Sequence, residues 1–143
     1  MLKIANVGQN DVVYDLGSGD GRIPVTAAQR YGARSVGIEI DPQLIQEAKQ
    51  NAKAAGVSDR VRFRQQDLFG TDMSEATVVT LYLLTENNLK LRPKLLQELK
   101  PGTRIVSHNY DMGDWKPERV DLVDGSTIYL WTVPKNVPAS LRS

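Results

Sequence analysis

Along the chain, short apolar runs alternate with stretches in which apolar residues return every three or four positions. Runs of strand length stand at residues 12–16 (VVYDL), 35–40 (SVGIEI), 61–65 (VRFRQ), 77–84 (TVVTLYLL) and 104–110 (RIVSHNY), and two more, VDLVD and STIYLWTV, lie near the end. Helical spacing joins Ile23, Ala27 and Tyr31 after the first run, then Leu44, Ala48, Ala52 and Ala55 after the second, and Leu91, Leu95, Leu96 and Leu99 after the fourth. Strands that alternate with helices need crossover connections, so the pattern predicts an α/β fold with a parallel sheet and helices on its faces. Asp41-Pro42 reads as an N-cap followed by proline at the first helical position, Gly56 as the end of that helix, and Pro101-Gly102 as the close of the later one. Gly125-Ser126 reads as a hairpin turn that makes the last strands antiparallel.

Length and charge then bound the possibilities. The 143 residues suit a single domain, 1–143, with a short N-terminal segment over 1–10 and a tail over 136–143 expected to be loose. Eighteen basic against seventeen acidic residues leave a formal charge of +1, so there is no global field to gather nucleic acid, and no nucleic-acid partner is expected. The absence of cysteine excludes disulfides and thiolate metal sites, and no metal site is expected. No apolar run approaches the length of a membrane span, and the opening MLKIANVGQND lacks the pattern of a secretory signal; the expected location is cytoplasmic.

Candidate chemistry concentrates in DVVYDLGSGDGRIPV, where Gly17, Gly19 and Gly21 follow a strand and precede a helix. In an open parallel sheet, ligands bind at the carboxyl ends of the strands, and glycines there allow a tight turn with positive φ and bring backbone N–H groups against a ligand. Three acidic residues fall at successive strand ends. Asp15 precedes the glycines, Glu39 can accept from both hydroxyls of a ribose, and Asp67 can accept from an exocyclic amine such as that of adenine. The dinucleotide spacing fails, because Arg22 or Pro24 stands where the third glycine belongs, and no Gly-Lys-Ser/Thr follows the turn. A carboxylate before the glycines suits a cofactor whose tail carries an ammonium.

With DLGSGDG, GIEIDP and QQDLF in order, the chain from Asp11 to Pro134 resembles the class I S-adenosylmethionine-dependent methyltransferases. It resembles most closely the small seven-strand lysine methyltransferases of mitochondria and their bacterial relatives. The resemblance implies a doubly wound, mostly parallel seven-strand sheet in the order 3-2-1-4-5-7-6, with strand 7 antiparallel. It implies S-adenosyl-L-methionine as cofactor and S-adenosyl-L-homocysteine as product, with Asp15, Gly17, Ser18, Gly19 and Gly21 around the methionine part, Glu39 and Ile40 at the ribose, and Asp67 and Leu68 at adenine. Asp41 is read as a helix cap rather than a ribose neighbour. Relatives of this kind carry an N-terminal helical segment over the cofactor, and only about ten residues precede the first strand here.

The methyl acceptor should arrive at the end of the fourth strand, in LYLLTENN, where Tyr82, Thr85 and Glu86 are the candidate catalytic residues. The competing reading makes Tyr82 a core aromatic and TENN a helix cap. The Asn/Asp-Pro-Pro-aromatic motif of many amino-methylating relatives is absent, which disfavours adenine or glutamine amides as acceptors; a protein lysine is the expected partner, with a small molecule as the alternative. His108, the lone histidine, is read as a structural hydrogen-bonder, and the Trp115 loop either walls the acceptor site or packs over the sheet edge. Lys90, Arg92, Lys94 and Lys100 are expected on a solvated helix face. A cofactor-binding module without catalysis and, more remotely, a nicotinamide-dependent oxidoreductase remain as alternatives.

Overall fold

The computed structural model describes residues 1–138 and 141 of the chain. The elements follow in the order β1 (Val12–Leu16), α1 (Arg22–Tyr31), β2 (Arg34–Glu39), α2 (Pro42–Ala54), β3 (Val61–Gln65), β4 (Val78–Leu81), α3 (Thr85–Glu98), β5 (Arg104–His108), β6 (Arg119–Val123) and β7 (Ser126–Thr132). They build one sheet in the order β3-β2-β1-β4-β5-β7-β6. The first five strands are parallel, and β7 runs antiparallel to both β5 and β6. This is the seven-strand arrangement implied by the resemblance.

Apolarity on both faces sends β1 and β4 to the middle. In β1, Tyr14 and Leu16 join Val79, Leu81, Leu91 and Leu95 in the cluster beneath α3, while Val13 joins Val78, Val106 and Ala27 on the face of α1. Because side chains alternate along a strand, Asp15 shares the α1 face with Val13, and Thr80 of β4 lies beside it. A third cluster, with Ala28, Ala52, Val57 and Val61, seats α2 against β3. Burying each Leu or Val side chain contributes roughly 1.5–3 kcal/mol, so these clusters hold the rim on which the site stands.

The turn signals act as expected. Asp41 caps α2 by accepting from the Gln43 N–H at 2.9 Å, with Pro42 following it. At the other end the Gly56 N–H donates to the Lys53 carbonyl and the Val57 N–H to that of Ala52, the paired bonds of a glycine-terminated helix. The β6–β7 turn is centred on Asp124-Gly125, both at positive φ, with Ser126 already opening β7. Between β3 and β4 there is only a 3-10 turn, Leu68–Gly70, so no α-helix crosses there.

Several expectations change. Arg92 is buried, donating to the Met112 carbonyl at 3.1 Å and pairing with Asp114, so it anchors the β5–β6 loop instead of facing water. Trp115 packs in the α3-side core beside Trp131, whose indole N–H donates to the Trp115 carbonyl at 2.7 Å; it does not wall an acceptor site. Within the N-terminal segment, Leu2, Ala5 and Val7 pack on the α1 face, and Arg104 holds that segment by donating to the Ala5 carbonyl at 2.6 Å. In the tail, Val137 and Leu141 pack on the α3-side cluster, while residues 139, 140, 142 and 143 lie outside the described residues.

Candidate active site

Two adjoining cavities open at the carboxyl rim of the sheet and share Gly17. The larger, about 440 Å³, runs from Asp15 past the glycine turn to Leu44 and Glu47 of α2 and to Tyr82. The smaller, about 250 Å³, is lined by Ile38, Glu39, Ile40, Gln66, Asp67, Leu68 and Phe69. Of the residues predicted for the cofactor, all but Gly21 line one cavity or the other. Gly21 serves the turn itself: it caps α1 with φ 83°, and an added Cβ would lie 2.8 Å from the Phe63 ring and 2.9 Å from Ala48. At Gly19, φ is 57° and an added Cβ would meet nothing within 4 Å, so the backbone there faces open space.

The turn offers a ligand different backbone groups from those expected. The N–H groups of Gly17 and Ser18 both donate to the Ile38 carbonyl, at 2.9 and 3.0 Å, and the Gly19 N–H donates to Glu39 Oε1 at 2.9 Å. These donors are committed to holding β1 against β2. Among the described residues the carbonyl oxygens of Gly17 and Gly19 accept no hydrogen bond, and such acceptors suit an ammonium. The Ser18 hydroxyl, buried on the wall of the larger cavity, has no partner of its own.

Each acidic residue is pinned by its surroundings. Asp15 is almost wholly buried and accepts from the Thr80 hydroxyl at 2.7 Å. Burial drives its pKa up to about 7, with the Glu39 charge adding to the rise and the Thr80 hydrogen bond opposing it. Glu39 spreads its carboxylate over three backbone donors, Gly19 on Oε1 and Ile40 and Asp41 on Oε2 at 3.0 and 3.1 Å, and remains only half-buried. Asp67 caps the 3-10 turn by accepting from the Phe69 N–H at 2.9 Å through Oδ1, and no hydrogen bond reaches Oδ2 among the described residues.

The acceptor side is less crowded. Tyr82 is 61% exposed, which overturns its reading as a core aromatic, and it is the one candidate catalytic residue that lines the larger cavity. Its ring stacks on His108 with centroids 4.3 Å apart and planes 14° apart. Burial, and then the nearby N-terminal ammonium, lower the His108 pKa below its ordinary value, which favours the neutral imidazole. Thr85 and Glu86 lie in the first turn of α3, away from the cavity lining; α3 has no side-chain cap, so TENN is not a capping motif either. Thr85 leans toward Asp111 at 3.4 Å. Asn88 is buried and donates to the Ser107 hydroxyl and to the Tyr110 and Asp111 carbonyls, fixing the loop behind His108. Asp20, Arg22, Ile23 and Glu47 also line the larger cavity, and nothing in their spacing separates them from ordinary helix and turn residues.

The residues fit an adenosine-bearing cofactor with an ammonium tail: a buried carboxylate beside free carbonyls at one end, and Glu39 and Asp67 oxygens along an adjoining cavity. Among the described residues no cluster of three or more potential metal ligands occurs, and no helix is long and apolar enough to cross a membrane.

Known proteins give the same reading. The family described as the ANTKMT methyltransferase domain matches residues 15–119. The chain belongs to this family of class I methyltransferases. A protein-lysine N-methyltransferase of Saccharolobus islandicus (strain REY15A) is 49% identical over 138 residues, which cover 93% of this chain and 86% of that protein. The adenine nucleotide translocase lysine N-methyltransferase of Mus musculus is 35% identical over 125 residues; the match covers 87% of this chain and 53% of the mouse protein, so the chain spans about half of that relative. Among solved structures, an RNA methyltransferase from Salinibacter ruber in complex with S-adenosyl-L-homocysteine is 58% identical with a TM-score of 0.96, covering 99% of this chain and 93% of its own. Membership in this methyltransferase family sets aside the nicotinamide-dependent alternative.

Proposed function

We propose that the protein transfers a methyl group from S-adenosylmethionine to the side-chain amine of a protein lysine. The observation that carries this reading is the larger cavity, with the buried Asp15 and the glycine turn on its inner wall and the exposed, His108-stacked Tyr82 on its outer one. Asp15 and the Gly17 and Gly19 carbonyls would hold the methionine ammonium, with Ser18 beside them; Glu39 and Ile40 would meet the ribose, and Asp67 and Leu68 the adenine. S-adenosylmethionine supplies a methyl already activated on a sulfonium, so the protein's task is alignment in a site shielded from water.

An arriving lysine must lose its proton before its lone pair can attack. Tyr82 supplies an aromatic wall that attracts the ammonium, an interaction worth about 0.5–1 kcal/mol at an exposed site. His108, stacked behind it, steadies the Tyr82 ring. Cytoplasmic action is part of the proposal; cell fractionation tests it.

A second reading, RNA as the acceptor, is favoured by the description of the Salinibacter relative at 58% identity. The near-neutral charge and the missing Asn/Asp-Pro-Pro-aromatic motif weigh against it. The test is incubation of the purified chain with methyl-labelled S-adenosylmethionine and cell extract, followed by separate digestion with protease and ribonuclease. Label released by protease and recovered as methyllysine is expected; label that follows the ribonuclease-sensitive fraction overturns the lysine reading.

A further inference from the structure

A cavity of about 490 Å³ lies away from the cofactor site, along the outer edge of β3, with Lys49 and Ala52 of α2 on one wall and Val61, Phe63, Arg62 and Arg64 along the strand. Among the described residues no strand pairs with that edge. The Ser35 N–H donates to the Arg60 carbonyl and the Gln66 N–H to that of Glu39, and in a parallel ladder this phase turns the backbone of Arg60, Arg62, Arg64 and Gln66 toward β2. The N–H and C=O groups of Val61, Phe63 and Gln65 therefore face outward. The two faces differ sharply. Val61 and Phe63 lie on the α2 side with Ala52, whereas Arg62 and Arg64 project from the side where only a 3-10 turn links β3 to β4. There they meet Arg34 and Arg60 around a further cavity of about 330 Å³ that holds two acids, Asp59 and Glu75. Neither Arg62 nor Arg64 forms an ion pair among the described residues, in a chain whose whole formal charge is +1.

We infer that the β3 edge is a docking site for an extended polypeptide segment of alternating acidic and apolar residues, which adds to the sheet as a further strand. Main-chain hydrogen bonds to Val61, Phe63 and Gln65 would supply affinity. Side chains of period two would place carboxylates against Arg62 and Arg64 on one face and apolar groups over Val61 and Ala52 on the other. The same arginines repel basic strands, so the edge is guarded against indiscriminate pairing while accepting a complementary one. A single-stranded nucleic acid fits less well, because it needs an aromatic face to stack on. The Phe63 ring is turned inward, its atoms lying 2.7–2.9 Å from where Cβ atoms of Gly21 and Gly37 would stand. The inference goes beyond methyl transfer and does not rest on it.

The test is an NMR titration of the full chain with acetyl-VEVEVEV-amide, with acetyl-VKVKVKV-amide and a uridine oligonucleotide as comparisons. The expected result is saturable binding of the acidic peptide that weakens with salt, slowed exchange of the Val61, Phe63 and Gln65 amides, and at least tenfold weaker binding of the basic peptide. Arg62→Glu with Arg64→Glu should abolish binding while leaving S-adenosylhomocysteine affinity unchanged, since both side chains are exposed and line neither cofactor cavity. Arg62→Gln with Arg64→Gln should give an intermediate loss and serves if the reversal misfolds. Equal binding of both peptides, or binding without protection of the β3 amides, overturns the inference. So does preferential binding of the oligonucleotide, which would make the arginines a phosphate site, or protection of the edge by self-association without peptide.

Discussion

At the ends of β1, β2 and β3 the acidic side chains are pinned: Asp15 by Thr80, Glu39 by three backbone donors, Asp67 by the turn it caps. At the ends of β4 and β5, Tyr82 and His108 rest chiefly on each other, and Tyr82 stands in solvent. The first region is therefore built before its ligand arrives, which limits the ordering cost of binding a cofactor common to many reactions. The second leaves surface for a large acceptor whose own shape completes the site. Function that must be constant is tied into the fold, and function that must meet a partner is laid on top of it.

Substitutions in the two regions should differ accordingly. The largest effect is expected for Gly21→Val, which combines positive φ with a side chain forced into Phe63 and Ala48; stability should fall by about 3 kcal/mol or more, read as a lowered denaturation midpoint. A loss below about 1 kcal/mol would show that the turn is not rigidly packed.

Asp15→Asn separates binding from stability. Cofactor affinity should drop about 30- to 100-fold, the scale of one charge-assisted interaction, in a calorimetric titration with S-adenosylhomocysteine. The stability change has the opposite sign at high pH. With a folded pKa of about 7 against an unfolded value near 3.9, the folded chain holds the proton more tightly, so stability falls as pH rises between those values and levels off above 7. The asparagine variant should thus be more stable than the parent at pH 8, by on the order of 2–4 kcal/mol, with no such gain at pH 4. Parent affinity should weaken up to tenfold per pH unit below 7, because the ammonium needs an ionised partner. A parent whose stability is flat from pH 4 to 8 would contradict the buried protonated carboxyl.

For Glu39→Ala, cofactor affinity should fall by about 1.5–3 kcal/mol, and stability by roughly 1–2 kcal/mol as Gly19, Ile40 and Asp41 lose their acceptor. Unchanged affinity would remove Glu39 from the ribose. Tyr82→Ala should alter stability by no more than about 0.5 kcal/mol and cofactor affinity by less than about twofold, while kcat/KM on a lysine-bearing protein drops about two- to fivefold. If cofactor affinity fell with turnover, the two regions would not be separable.

Legibility in the sequence followed the same division. The strands, the helix caps and the acidic strand ends of the cofactor side were readable because period, glycine placement and strand-end position are local properties. The acceptor side was readable only in part: Tyr82 stands in an apolar run that reads as pocket or core equally well, and Thr85 and Glu86 are polar neighbours that the first turn of α3 carries away from the cavity. Arg92 misled for a related reason, since a charged residue among lysines reads as surface until a loop folds back to meet it.

The amino-acid order by itself determined the alternation of strands and helices, the glycine turn and the register of Asp15, Glu39 and Asp67 at successive strand ends, because each depends on residues within a few positions of one another. Only the tertiary structure decided that the N–H groups of Gly17, Ser18 and Gly19 are spent on Ile38 and Glu39 while the Gly17 and Gly19 carbonyls stay free, that Tyr82 meets His108, and that the arginines of β3 face an edge with no partner among the described residues. Those outcomes depend on which strands lie side by side. Partners there are tens of residues apart in the chain, and the packing of the whole sheet, not local preference, brings them together.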